Sequence, residues 1–502
     1  LAANTVTLDG GTKGVSFGSG NASDTNTIGG TASGNCSGGV TIRGDNVAFA
    51  TALTTIRCTA PLVIESSSAS AAFSGAQTLP SGFFALADVT DFRWGKTTNT
   101  TAMTNSTAVN ASGNISIYGS SVQLNANVTT SGSTKSILFK STGDILNGAA
   151  TTTQSNGGPI IFWANSAGGN GSVSIYAGST INSVNGATTR TASGGGDIIV
   201  GGGTGSGTYP TGPVASASTT YAAFASGTGG TASSITTYYS GGGTININAS
   251  QSAANQTISF KYATTMWANG GQIVMNSVNT ATTGNWAAIE IMDVAVASNA
   301  SDFFSSSNSA PAIRITASSN NGVAFESGAY ANAANLINIQ ASGSGGVTIS
   351  GTNGSTTLNR PEVGINGTNL LSAGPITINT ASVTSGAGGY FDSALFSGGG
   401  SGVSNIGYCV VATCPLSQVT TTTANITFNI NRQASYFSPV NNNINTKGTV
   451  TFMPSLAAGF LSQVPTGNDK ISSDCTGLYI GKDQSTNNWA YSSTNAYSIA
   501  GP

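Results

Sequence analysis

Few residues in this chain carry groups that ionise, coordinate or attack. Its 502 residues include 17 Asp+Glu, 15 Lys+Arg and no His. The acids that fall closest together are Asp88 with Asp91, Glu290 with Asp293, and Asp469 with Asp474. Carboxylate pairs hydrolyse glycosides, and acids with basic residues and calcium serve polysaccharide lyases, so these three pairs are the first candidates for chemistry. In an extended strand Glu290 faces away from the apolar side on which Ile289 and Ile291 lie, whereas Asp293 falls in phase with those two residues or at the strand end. The pair does not converge, and the other acids read as turn and surface carboxylates. Without histidine there is no His-dependent triad and no imidazole metal ligand. Asp144 and Asp197 each precede an apolar strand and read as turn caps, since the Gly-Gly-x-Gly-x-Asp calcium repeat does not recur.

Other groups lead to the same place. Tyr118, Tyr176 and Tyr262 follow or end strands, and Trp163 alternates with Phe162, so these rings suit either stacking on sugars or lateral packing. Gly201–Gly203 and Gly241–Gly243 are followed by neither a helix nor a lysine and are not phosphate loops. No catalytic, cofactor-binding or metal-binding residue is assigned, and the chain is not expected to be an enzyme or to hold a cofactor. Five cysteines without a CxxC spacing favour disulfides over a zinc cage. Cys36 and Cys58 are separated by close to one repeat and suit a staple between neighbouring coils; Cys409 and Cys414 suit a small closed loop; Cys475 is left over.

The elements that would hold these residues are short strands. Charged residues are 6% of the chain and the net charge is −2, which excludes a phosphate-binding surface, and nucleic acid is not an expected partner. With 68 Gly and 13 Pro the chain falls short of the composition of collagen or of disorder, and it has no apolar run long enough to enter a membrane. The start, Leu1 to Thr5, lacks the regions of a signal peptide. Apolar-x-apolar strands recur between Gly, Ser, Asn and Thr, as at Ile115-Ser-Ile117, Val173-Ser-Ile175, Ile245-Asn-Ile247 and Ile426-Thr-Phe428. In the stretch from Ala288 to Ser350 the spacing is regular: Ile289/Ile291, Ile313/Ile315 and Ile337/Ile339 succeed one another at a constant step of about 24 residues, and a second series at Val323 and Val347 keeps it. Two interleaved series with one period predict an all-β, right-handed parallel β-helix, a β-solenoid of about 22–25 residues per coil.

On this reading the six isoleucines form the core column, and Glu290 sits one coil from Arg314 in an outward surface ion pair worth under about 1 kcal/mol. Residues 1–502 form a single elongated domain, a rod on the order of 70 to 100 Å long, with loop excursions near 201–230 and 386–424. Low charge suits a stack in which a column of like charges would repel while columns of Asn, Ser and Thr hydrogen-bond. A longer recurrence maps 60–113 onto 448–502: Leu62-Val-Ile64 and Trp94-Gly95-Lys96 are echoed by Val450-Thr-Phe452 and Ile480-Gly481-Lys482. The last residues, Gly501-Pro502, stand where Gly158-Pro159 and Gly374-Pro375 lead into strands, so Val6 and Leu8 of another copy, or further chain, are expected to meet Gly501 and Pro502 end to end.

These strands, the Gly-Asp-Ile openings at Gly143 and Gly196, and the run from Leu478 to Lys482 resemble the filamentous-haemagglutinin-like exoproteins, secreted right-handed β-helix proteins of Gram-negative bacteria. The likeness spans most of the chain, without the family's amino-terminal secretion domain. It implies an extracellular or cell-surface location and a non-catalytic structural role in a filament, adhesin or biofilm. The partners would be further copies or repeats of itself, surface glycans or other cells. The alternative is a glycan-binding or glycan-cleaving β-helix of lyase or tailspike type, which requires acids and bases from successive coils to converge in an outward cleft.

Overall fold

The computed structural model describes residues 5–17, 25–29, 37–49, 53–79, 89–292, 300–328, 337–354, 362–382, 393–397, 404–409, 414–430, 432–434, 442–454 and 469–481, apart from positions 185, 187, 206, 232, 285 and 415. Among them there are strands and turns and no α-helix. The fold is a parallel β-helix in which three sheets recur in turn along the chain, and it comprises two compact units. The first holds residues up to Ala215 with Thr228–Gly230 and Thr237–Gly243; the second holds the remainder.

In the first unit the apolar-x-apolar motif fixes register. Val6, Val40, Leu62, Phe92, Ile115, Ile137, Ile160 and Ile198 stand opposite one another in consecutive parallel strands of the long sheet. A one-residue slip would turn every inward side chain outward, so the alternation enforces this register. The column two positions on contains Ile64, Trp94, Ile117, Phe139 and Phe162, all buried; the Phe139 and Phe162 rings lie 5.3 Å apart. The second sheet aligns Gln77, Met103, Val122, Ile145 and Val173, and the third Val109, Val128, Thr153, Ile181 and Tyr238.

The second unit repeats the scheme. Its long sheet aligns Ile245, Ile273, Ile313, Val347, Ile376, Ile426, Val450 and Leu478. The second sheet aligns Phe224, Ile258, Ile289, Phe325 and Val363, and the third Phe303, Ile339, Leu370, Ile406, Ile444 and Ile471. Phe428 stacks on Phe452 with centroids 4.6 Å apart. Each fully buried Ile or Phe contributes about 1.5–3 kcal/mol, which is how short strands without helices hold together. The coils approach so closely at their corners that side chains are excluded there. At Gly346 (φ +79°) a Cβ would lie 2.2 Å from the Pro375 carbonyl oxygen of the next coil.

Four expectations change. The regular isoleucine step is not one coil: Ile289, Ile313 and Ile337 lie in the second, long and third sheets respectively, and their register partners in the next coil are Phe325, Val347 and Thr368. A coil here passes through all three faces, and the step advances the chain by only two of them. Coil length itself varies: Ile137 follows Ile115 closely, whereas the stretch from Ile376 to its partner Ile426 is more than twice as long.

The predicted core column is corrected in the same way. All six isoleucines are buried, but they divide among three columns. Ile313 and Ile315 belong to the long sheet, where Ile315 stands between Met275 and Ile349 and not between Ile291 and Ile339. Ile289 and Ile291 belong to the second sheet, with Ile291 between Phe260 and Ser327, and Ile337 and Ile339 to the third, with Ile339 between Phe303 and Leu370. The Glu290–Arg314 pair is consequently absent: Glu290 stands between Ser259 and Glu326 in the second sheet, and Arg314 between Val274 and Thr348 in the long one. Glu290, on the outer face, is also buried rather than solvated.

The excursions, finally, contain rungs. Val214–Ser216 and Phe224–Thr228 are strands inside 201–230, and Ser393–Ser397 and Asn405–Gly407 continue the second and third sheets inside 386–424. The long recurrence has a structural counterpart in each unit: Leu62 stands opposite Phe92, Val450 opposite Leu478, and both Gly95 and Gly481 turn the chain with positive φ.

Candidate functional site

The clearest gathering of charge lies on the outer face of the first unit's long sheet. Val6-Thr-Leu8-Asp9, Val40-Thr-Ile42-Arg43 and Leu62-Val-Ile64-Glu65 each end in a charged residue, and the register stacks Asp9, Arg43 and Glu65 on consecutive strands. Arg93 comes from the next strand, opposite Val63. Arg43 donates from Nε and Nη2 to Glu65 Oε1 at 2.9 and 2.8 Å, Arg93 Nη2 donates to Oε2 at 2.5 Å, and Asp9 lies 3.6 Å from Arg43. Acidic and basic groups thus alternate along the stack, and the hydrogen bond from Arg43 to Glu65 raises the guanidinium's already high pKa. Beside this ladder, Asp45 accepts from Ser67 N and Ser70 Oγ, and its carboxyl is held below the usual range first by the Ser67 side chain and then by that of Ser70. Lys96 Nζ donates to the carbonyls of Ser67 and Ser70, closing the turn from the other side. Unequal intervals between its members hide this ladder in the sequence; the available signal is the charged residue directly after three of the apolar-x-apolar motifs, with Arg93 in the middle of the fourth.

The second unit has a neutral counterpart. Asn338, Asn369, Asn405 and Asn443 occupy one register position of the third sheet. Asn369 Nδ2 donates to Asn338 Oδ1 at 2.8 Å, Asn405 to Asn369 at 2.8 Å and Asn443 to Asn405 at 2.9 Å. One rung before Asn338, Asp302 is buried and accepts from Trp267 Nε1 at 2.6 Å and Gln340 Nε2 at 2.8 Å. Just past the Cys409–Cys414 disulfide (Cα–Cα 6.0 Å) the chain meets this face, with Gln340 bonded to Leu416 O and Gln418 N. Leu371, Cys409, Cys414 and Val419 pack together, with Tyr408 against them. Burial, with Asp474 nearby, pushes the Tyr408 hydroxyl pKa up.

The remaining candidates fall as follows. Asp144 bonds across coils instead of capping its own turn: its Oδ1 accepts from N and Oγ of Ser172, the residue just before the next strand of its sheet. Asp91 bonds Asn114 and Asn114 bonds Ser136 in the same way, so strand entry is sealed from coil to coil. Glu290 accepts from Gln256 Nε2 at 2.8 Å, and desolvation outweighs that bond, raising its pKa. Cys58 is buried, and Cys475 carries a free thiol whose Sγ lies 3.1 Å from Gly477 O. Val6 is buried and Leu8 half-buried in a strand paired with Val40–Arg43. Asp88, Asp293, Cys36, Gly501 and Pro502 lie outside the described residues. Among the described residues no cluster of three or more Cys, Asp or Glu is placed to hold a metal ion, and no helix is long and apolar enough to cross a membrane. The chain matches no family model, no curated protein and no solved structure.

Proposed function

We propose that this chain is a non-catalytic structural β-solenoid, a section or subunit of an extracellular filament or adhesin on a bacterial surface, with further copies or repeats of itself as its principal partner. A Gram-negative cell surface or biofilm is the setting that its likeness to haemagglutinin-type exoproteins suggests. The observation that carries the reading is the alternating ladder: acids and bases from four successive coils do converge, but on one another. Both oxygens of Glu65 are taken by arginines, so the groups brace the stack instead of standing ready to protonate or attack a substrate. The asparagine run does the same work without charge, each amide handing its hydrogen bond to the next coil.

Electron microscopy of the intact purified chain over a range of concentrations tests this. Filaments or laterally associated rods are expected. Compact monomers or trimers that shorten an acidic polysaccharide on incubation would overturn the reading in favour of a tailspike- or lyase-like protein.

A further inference from the structure

The outer face of the first unit's long sheet changes character a few coils past the charged ladder. Tyr118, Lys140 and Trp163 share one outward register position, and Ser116, Leu138, Ile161 and Ile199 share another. Outward positions of a solvated sheet are ordinarily polar. Here Leu138, Ile161 and Trp163 are buried, with Tyr118 and Ile199 packed against them. Over Trp163 lies a hairpin closed by reciprocal hydrogen bonds between Gly202 and Gly212, at 2.8 and 2.9 Å. Trp163 Nε1 donates to Gly203 O at 2.8 Å and Thr211 Oγ1 to Thr204 O at 2.6 Å, which fixes the hairpin over the indole. Gly205 lies directly on the ring: a Cβ there would come within 2.9 Å of the indole's six-membered edge.

Between hairpin and sheet is a recess of about 290 Å³ lined by Thr97, Tyr118, Leu138, Lys140, Gly205, Gly207 and Thr208. Ligand sites run from about 300 to 1,000 Å³, so this one, at the bottom of that range, suits a single sugar unit. Lys140 Nζ sits 3.7 Å from the Trp163 ring centroid, and its hydrogen bond is a long one, 3.5 Å to Gly205 O. An ammonium has three donors, so capacity remains for an acceptor in the recess. Among the described residues no ion pair involves Lys140. Burial lowers its pKa, in keeping with a cation partly stripped of water and left without an anion. A ring and a leucine offer an apolar wall, threonine hydroxyls and glycine carbonyls offer hydrogen bonds, and the ammonium asks for a negative group.

We propose that this recess binds an acidic sugar, a pyranose bearing a carboxylate as in a uronate, with Lys140 taking the carboxylate and the Tyr118 and Leu138 wall meeting an apolar face of the ring. The proposal rests on the extracellular placement above, where acidic polysaccharides are encountered.

The test uses the intact chain, with calorimetry and tryptophan fluorescence as readouts and methyl glucuronide, methyl glucoside and inorganic sulfate as probes. Saturable binding of the glucuronide is expected, at least tenfold tighter than the glucoside, without competition by equimolar sulfate. Lys140→Met, which keeps the apolar stem, should weaken glucuronide binding at least tenfold while the circular dichroism spectrum is unchanged. Gly205→Ala, which lifts the hairpin off the indole and leaves the charge in place, should weaken it as well and serves if Lys140→Met fails to fold. No glucuronide binding, binding unchanged by either folded variant, or equal binding of sulfate would overturn the proposal. Filaments that ignore the sugar would sink this inference alone; compact particles that bind it would sink the filament reading alone.

Discussion

Glu65→Gln is the sharpest probe of the charged ladder. Glu65 is 6% exposed and receives three hydrogen bonds from two guanidinium groups. Charge-assisted bonds contribute about 1.5–3 kcal/mol each where both partners are shielded. The arginines, however, are only partly covered, with side-chain exposures of 29% for Arg43 and 44% for Arg93, so solvent screening reduces the total. Gln keeps the shape and one acceptor, while Arg43 retains Asp9 at 3.6 Å. The expected loss is about 2 kcal/mol, confined to the coils that carry the ladder, because a solenoid's stability is a sum of neighbour terms. Hydrogen exchange by mass spectrometry in increasing urea, followed in peptides covering Leu62–Glu65 and Phe92–Trp94, measures it locally. Urea rather than guanidinium keeps the charges unscreened. The effect should shrink in about 0.5 M salt, whereas Arg314→Gln, an exposed position between Val274 and Thr348, should change stability by under about 0.5 kcal/mol. Equal effects from the two substitutions, or a loss at Glu65 that ignores salt, would refute the view that the alternating stack braces these coils.

Two further outcomes follow from buried polar groups. Burial raises the Glu290 pKa above its unfolded value, so its ionised form opposes folding: its contribution is favourable below the unfolded pKa of about 4.5 and is lost as pH rises through the folded value. Glu290→Gln should therefore be neutral to stabilising at pH 7, with the gain over the native chain vanishing toward pH 4; urea midpoints at the two pH values check this. Asn369→Asp replaces the donor to Asn338 Oδ1 with a buried acceptor and a charge, and should cost about 3 kcal/mol at pH 7, read as faster exchange across Ile337–Ala341 and Asn405–Gly407.

Much of this was legible in the residues themselves. Apolar-x-apolar strands bounded by Gly and Asn dictate β-structure with alternate faces, and the absence of helix periodicity with so little charge dictates stacking of like upon like. The recurrence of Leu62-Val-Ile64 at Val450-Thr-Phe452 marked equivalent places in the long sheet of each unit. The pairing of strands was not legible, because all three faces use the same motif. A regular interval between isoleucines looks the same whether it completes one coil or advances two of three faces, and only the register of Ile313 on Val347 and of Ile315 on Ile349 decides it. From that follow the partners of every outward residue. Glu290 loses Arg314 and is buried beside Glu326, while Glu65 gains both Arg43 and Arg93 from neighbouring coils. Lys140 comes to lie over Trp163 under a hairpin contributed by a much later stretch of the chain. Composition and alternation determined that the chain would stack, because backbone pairing and burial are local demands. Which charges, amides and rings would meet was left to the variable lengths of the turns, whose sum over each coil sets the register and is fixed only when the tertiary structure closes.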